Sequence, residues 1–175
     1  AICGSVKEQM KGNKNVEVDC TNNRISFGEA GRFATNSYKL PEKASEALAT
    51  LVPVVLEAAD GELGQKWMKQ IVVEGYTDTV GGYLYNLHLS LLRSEWVLCL
   101  LMDPRKNADL SLTAEQLNRV RQLFLAGGVS FNGQRDGGAD ESRRVELRIQ
   151  FFGLKEERLA SVKQEGSAAA DMCQL

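Results

Sequence analysis

Residues 72–101 read VVEGYTDTVGGYLYNLHLSLLRSEWVLCLL, and the rest of the chain is interpreted outward from them. An apolar strand runs into a glycine-bearing turn, residues 75–82, that carries Thr77 and Asp78, and a helix is expected from 83 to about 102. With Asn86 placed at zero and 100° per residue, Leu89 falls at about 300°, Ser90 at about 40° and Arg93 at about 340°. Those four share one narrow face. Leu84, Leu87, Leu91 and Leu98 cluster near the opposite side, where they can pack on a sheet, so the Asn86–Arg93 face is expected to meet solvent or a ligand. Asp78 lies just before the helix and approaches that face from its N-terminal end. A planar guanidinium binds a carboxylate through two parallel hydrogen bonds, a carboxylate accepts from an ammonium, and N–H groups at a helix start favour anions. A small ligand carrying both an amine and a carboxylate is the chemistry this pattern suits.

Before this stretch, Val16, Val18 and Cys20 alternate with Glu17 and Asp19, the period of a half-buried strand. Asn22 and Asn23 offer turn chemistry, and Ile25 and Phe27 return as the second arm of a hairpin. Residues 33–37, FATNS, lead to a helix for which Pro41 suits the first turn. Ala44, Leu48, Leu51, Val52, Val55 and Leu56 then repeat at helical spacing. Pro53 lies inside that pattern and is expected to kink or split the helix. Gly61 and Gly64 are expected to end it, with a short strand at 71–74. After the central helix, Thr113 and Gln116 form a capping box for another, which Gly127 and Gly128 are expected to close before a brief strand at 129–131. Residues 134–141 read as a surface loop. Val145, Leu147, Ile149 and Phe151 alternate with Glu146, Arg148 and Gln150, a strand with one wet face. The expected class is α+β, an α/β sandwich: a mixed sheet covered by helices on one face. Residues 1–15 read as a lead-in from a missing N-terminal part, 16–153 as the domain, and 154–175 as a polar tail with a turn or two of helix and no core-forming residues.

The 175 residues carry a formal net charge of −2 and a pI near 5.6, which argues against a nucleic-acid surface. No apolar run reaches the ~18–20 residues that span a bilayer. The chain starts at Ala1 without an initiator Met, and is expected to be a piece of something longer. Cys3, Cys20, Cys99 and Cys173 allow three complete pairings that sequence alone does not separate. Cys99, on the central helix, reads as a small buried hydrophobe. No CxxC or Cys/His cluster suggests a metal, and no cofactor is expected. Nor is catalysis: hydrolysis by paired carboxylates needs two at defined separation, and only Asp78 stands in a strong context. His88 has no nucleophile beside it in the sequence, and no G-x-S-x-G elbow is present.

Three ordered motifs carry a resemblance: Gly75-Tyr76-Thr77-Asp78 with Gly81, then Tyr85-Asn86 with Leu89-Ser90 and Arg93, then Arg143-Arg144-Val145-Glu146. Together with Phe33-Ala34-Thr35-Asn36-Ser37 and Leu40-Pro41 upstream, they resemble the OmpA-like peptidoglycan-binding domain and its MotB-type members in ion-driven stators. The resemblance spans roughly residues 16–152, and a narrower likeness is to MotB-like stator components of anti-phage defence. It implies a βαβαβ-type sheet and a pocket that grips the diaminopimelate of a peptide stem. Asp78 would take the amine and Arg93 the carboxylate. Asn86, Leu89, Tyr85, Thr77 and Asn36 would line the pocket or neighbour it, and Arg143 or Arg144 would add a second positive group. Tyr76 stands where histidine is common, and Ser142 where an asparagine usually precedes the paired arginines.

The resemblance further implies a periplasmic, non-catalytic wall anchor. It would act as the soluble part of an inner-membrane protein, working as a homodimer with a MotA-like ion-channel partner. The Val16–Cys20 strand and the lead-in are the candidate pairing surfaces. The alternative is a structural dimerisation domain of the same fold that no longer binds peptidoglycan.

Overall fold

Alternating apolar residues build a sheet whose two faces differ in kind. Its strands are β1 (Glu17–Asp19), β2 (Arg24–Ser26), β3 (Met68–Tyr76), β4 (Phe124–Gly128) and β5 (Arg144–Phe151), in the spatial order β1-β2-β5-β3-β4. The computed structural model describes residues 1–133, 138–156 and 171–175. β1 and β2 form the expected hairpin, with Asn23 at φ 54° in its turn. β5 runs antiparallel to both β2 and β3, while β3 and β4 are parallel. Register aligns Ile71 with Ile149, Val73 with Leu147 and Ile25 with Leu147. These side chains are buried on one face with the helices.

The other face is polar, though less wet than the alternation suggests. Register sets Glu74 beside Glu146 and Val72 beside Arg148. Like charges placed opposite each other repel, and Arg24 resolves this by donating to Glu74, Glu146 and the Tyr76 hydroxyl. Arg148 adds a 2.6 Å bond to Glu74.

Four longer or intermediate helices pack around the apolar face: α1 (Ile2–Gln9), α2 (Glu42–Asp60), α4 (Tyr83–Met102) and α5 (Ala114–Leu123). Two short ones, α3 (Glu62–Trp67) and α6 (Ala139–Ser142), fill connections. α2 runs unsplit through Pro53. Leu51, Val52, Val55 and Leu56 are all buried around the proline. Each such side chain contributes about 1.5–3 kcal/mol of burial, which outweighs the ~3 kcal/mol of an interior proline. Thr113 caps α5, and both bonds of the capping box with Gln116 form.

Several expectations need correction. The lead-in at 1–15 begins with α1, whose Ile2 and Val6 join the core together with Met10 just after it. Gly61 ends α2 as expected, as the residue that caps it, but Gly64 falls inside α3, which follows directly. The strand expected at 129–131 lies earlier, at β4, and Gly127 and Gly128 belong to it rather than to a helix end. The reason is steric. A Cβ on Gly128 would lie 2.2 Å from Ser90 Oγ, and one on Gly75 would lie 1.9 Å from the Ser90 carbonyl. Two glycines on adjacent strands let α4 approach the sheet at Ser90 more closely than any side chain would permit.

That contact also reverses α4. Asn86, Leu89, Ser90 and Arg93 face inward, while Leu84 is 74% and Leu91 43% exposed.

Cysteine pairing is settled as Cys3–Cys20 and Cys99–Cys173, with Cα separations of 5.6 and 5.1 Å. Cys99 is therefore buried but not a simple hydrophobe. Its bond holds residues 171–175 against α4, where Cys173 N–H donates to Asp103 at 2.9 Å and Leu175 packs on the core. The helical turns expected in the tail, and the first part of the loop at 134–141, lie outside the described residues; Ala139–Ser142 of that loop form α6. Among the described residues, no helix is long and apolar enough to cross a membrane.

Candidate functional site

The site forms where β3 ends and α4 begins. Thr77 N–H donates to the Ser130 carbonyl, which carries the β3 pairing one residue past the strand. The chain then turns sharply. Asp78 Oδ1 accepts from Val80 N–H at 3.0 Å, the local bond that short acidic side chains make in turns. Gly81 completes the turn at φ 95°. Asn86 reaches back from the first turn of α4, its Nδ2 donating to the Val80 and Gly82 carbonyls at 2.9 and 3.1 Å. Asn86 thus stitches the Thr77–Asp78 turn to the helix that follows it.

Among the described residues, Arg93 is the largest fully buried side chain, at 0% exposure. Its guanidinium donates to three backbone carbonyls: Nη1 to Tyr76 at 2.8 Å, Nε to Ser37 at 2.9 Å and Nη2 to Ala34 at 3.3 Å. It also lies 4.7 Å from the centre of the Phe33 ring. Burial pushes its pKa down to about 10, partly opposed by the Asp78 charge, and the neighbouring Arg143 lowers it further. Arg93 therefore remains charged at neutral pH. It ties the 33–37 segment to the end of β3.

Asp78 is 6% exposed, and its Oδ2 accepts from Arg143 Nη1 at 3.0 Å. Arg143 is itself held by Phe33: its Nε donates to the Phe33 carbonyl at 2.7 Å, and Phe33 N–H donates to the Arg143 carbonyl at 2.9 Å. One carboxylate and two guanidiniums thus converge on one point.

Thr35, Asn36, Thr77, Asp78, Val80, Asn86, Leu89, Arg93 and Arg143 line a small cleft there. Asp78, Arg93, Asn86, Leu89, Thr77, Asn36 and Arg143 were all expected from sequence, and the structure brings them together. Tyr85 stands at the rim, its hydroxyl donating to Asn36 Oδ1 at 2.8 Å. Arg144 lies elsewhere. On the polar face of the sheet it covers the Tyr76 ring at 4.0 Å and donates to Glu146. Adjacent residues of a strand point to opposite faces, so only Arg143 of the pair can reach the cleft. Thr35 and Val80 were missed, as were the Ala34, Ser37 and Tyr76 carbonyls that hold Arg93. No side-chain type announces a carbonyl acceptor, so Ala34, Ser37 and Tyr76, though inside the motifs quoted above, carry no mark of that role.

The free volume of the cleft is only about 10 Å³. That is the room of roughly one water. Among the described residues, no group of three or more His, Cys, Asp or Glu side chains is placed to hold a metal ion.

No protein-family model matches the chain. A curated relative, the Zorya protein ZorB of Escherichia coli O139:H28 (strain E24377A / ETEC), is 59% identical over 146 residues, 83% of this chain. The match covers 59% of that protein, so the chain spans well under two thirds of the relative's length. Among solved structures, a MotB-like protein from Desulfovibrio vulgaris superposes with a TM-score of 0.51 at 19% identity, covering 89% of this chain and 93% of that one. The periplasmic domain of Helicobacter pylori MotB gives a TM-score of 0.50 at 10% identity, covering 80% of each chain. In fold the chain is similar to these MotB-type domains, with a five-stranded mixed sheet, and in sequence it is similar to ZorB over 83% of its length.

Proposed function

We propose that this chain is the wall-binding domain of a MotB-like stator protein, and that it holds the diaminopimelate of a peptidoglycan stem without catalysing a reaction. The observation that carries the reading is the convergence of the Asp78 carboxylate with the Arg93 and Arg143 guanidiniums on one cleft. Asp78 would receive the ligand ammonium, and Arg93 and Arg143 its carboxylate, each through charge-assisted hydrogen bonds. Asn86 holds the turn that carries Asp78. Likeness to ZorB supports a place in anti-phage defence, and the periplasmic MotB domain supports a periplasmic setting. A MotA-like channel partner, an upstream membrane anchor and pairing of two copies belong to the same reading. β1 forms one edge of the sheet, and the order β1-β2-β5-β3-β4 leaves its outer side without a strand neighbour among the described residues.

The closed cleft favours a second reading, a dimerisation domain of the same fold without a ligand: Asp78 and Arg93 already have partners within the chain. Retention on purified diaminopimelate-type sacculi separates the two. The wall-binding reading expects the parent to be retained and Asp78→Asn and Arg143→Gln to be released, with circular dichroism unchanged. Release of the parent as well would favour the dimerisation domain. Arg93→Ala is a poor probe, because it removes a structural tie along with a ligand contact.

A further inference from the structure

A carbon bearing both an ammonium and a carboxylate does not fit in a space of about 10 Å³. For such a ligand to touch Asp78 and Arg93, one wall of the cleft has to move. The wall formed by β3, the turn and α4 is anchored in the core through Ser90, Gly75 and Gly128. The facing wall is residues 33–37, which contain no helix or strand. Its inner side is tied by Arg93 at the Ala34 and Ser37 carbonyls and by Arg143 at Phe33. Its solvent side is tied to α4 by Tyr85 Oη donating to Asn36 Oδ1, with Tyr85 51% exposed. Asn36 holds this position at φ 59°, in the left-handed region that asparagine tolerates better than most residues.

We propose that the Tyr85–Asn36 hydrogen bond is a strap that gates the cleft, resting on the peptide-stem reading above. The ligand enters when this bond and the Arg93 Nε–Ser37 carbonyl bond open and residues 35–37 swing outward, while Arg143 keeps Phe33 in place. A strap competes with the ligand. Apparent affinity falls in proportion to the fraction of molecules that are open, so breaking the strap tightens binding. A tyrosine hydroxyl that contacted the ligand would have the opposite sign, and its removal would weaken binding.

The experiment compares the parent with Tyr85→Phe, Asn36→Gly and the double variant. Glycine is at ease at φ 59°, so Asn36→Gly removes the acceptor without straining the backbone. Two measurements are made: calorimetric binding of L-alanyl-D-glutamyl-meso-diaminopimelate, and amide exchange of Ser37, whose N–H donates to the Ala34 carbonyl, without ligand. Each single variant is expected to bind roughly 3- to 10-fold tighter, the range set by one ordinary hydrogen bond. The double variant is expected to bind no tighter than either single, and Ser37 to exchange faster in all three. A parent that fails to bind beside variants that do bind supports the strap as well. Unchanged or weaker binding in both single variants, with a parent that binds, overturns the strap and leaves the peptide-stem reading standing. Failure of all four proteins to bind overturns that reading and the strap with it.

Discussion

Replacing Arg93 with methionine, which keeps an unbranched apolar stem but removes the guanidinium, tests whether this residue is first a part of the fold. The change strips hydrogen-bond donors from the Tyr76, Ser37 and Ala34 carbonyls. A buried polar group left unpaired costs about 1–3 kcal/mol. Water can reach Ala34, which is exposed, and Ser37, which is half-buried, more readily than the end of β3. The Tyr76 carbonyl therefore carries the full loss and the others a part of it. The stacking on Phe33 adds ~0.5–2 kcal/mol. Against this, methionine removes the desolvation that holds the arginine's pKa down to about 10. The net expectation is a loss of roughly 2–4 kcal/mol, equal to about 5–15 °C in melting temperature for a domain of this size. Arg93→Lys, which cannot span three carbonyls in a fixed fork, should fall between. Asp78→Asn keeps one acceptor oxygen where the carboxylate uses two, and should cost about 1–3 kcal/mol. The assay is urea unfolding with the disulfides oxidised. A loss below about 1 kcal/mol for Arg93→Met, or an Arg93→Lys as stable as the parent, would refute the reasoning.

The two disulfides should differ in weight. Closing 17 residues with Cys3–Cys20 contributes roughly 3 kcal/mol by loop entropy, and closing 74 with Cys99–Cys173 roughly 4.5 kcal/mol, to be read from urea midpoints of paired Cys→Ala variants. Gly75→Ala and Gly128→Ala should each lower the thermal midpoint by at least about 5 °C, because their Cβ atoms would meet Ser90 within 2.2 Å, whereas Gly127→Ala has nothing within 4 Å and should change little. Asp103 is held below its ordinary pKa of 3.8 by Arg105 and by the Cys173 N–H. A folded pKa below the unfolded one means that its stabilisation is complete above about pH 4 and lost as pH falls further. Asp103→Asn should accordingly flatten the acid limb of a stability–pH profile without touching the limb above neutrality.

The parts of the fold legible in the sequence are those where period and position agree. β5 shows strict alternation, the β1–β2 hairpin has Asn22 and Asn23 between its arms, and α5 has a complete capping box. The parts that were not legible depend on contacts distant in sequence. Gly127 and Gly128 look like a helix stop from their neighbours alone, yet both pair with β3, and Gly128 makes room for Ser90, some 40 residues away. α1 looks like a polar lead-in until Cys3 is tied to Cys20 and Ile2 and Val6 are buried.

The candidate site was legible for a reason that the helical wheel misassigned. Grouping Asn86, Ser90 and Arg93 on one face of α4 was correct, yet sending that face to solvent was not. The assumption that polar residues point outward fails when the polar groups have fixed work inside. Asn86 binds two carbonyls of the turn, Arg93 binds three carbonyls around Phe33, and Ser90 Oγ accepts from Ser130 N–H while donating to Leu87. Each buried donor here meets a backbone acceptor, which is the condition under which polar burial is stable. Leu84 and Leu91 are displaced outward as a result. The same inward face explains why Asp78 and Arg93 approach each other at all. A guanidinium on the solvent side of α4 would have been screened and mobile, whereas one locked by three carbonyls is presented to the cleft at a fixed angle, preorganised for a carboxylate in a way that a surface arginine is not. The cost of that preorganisation is a cleft closed by its own internal partners, and the Tyr85–Asn36 bond is the one of those ties that lies toward solvent.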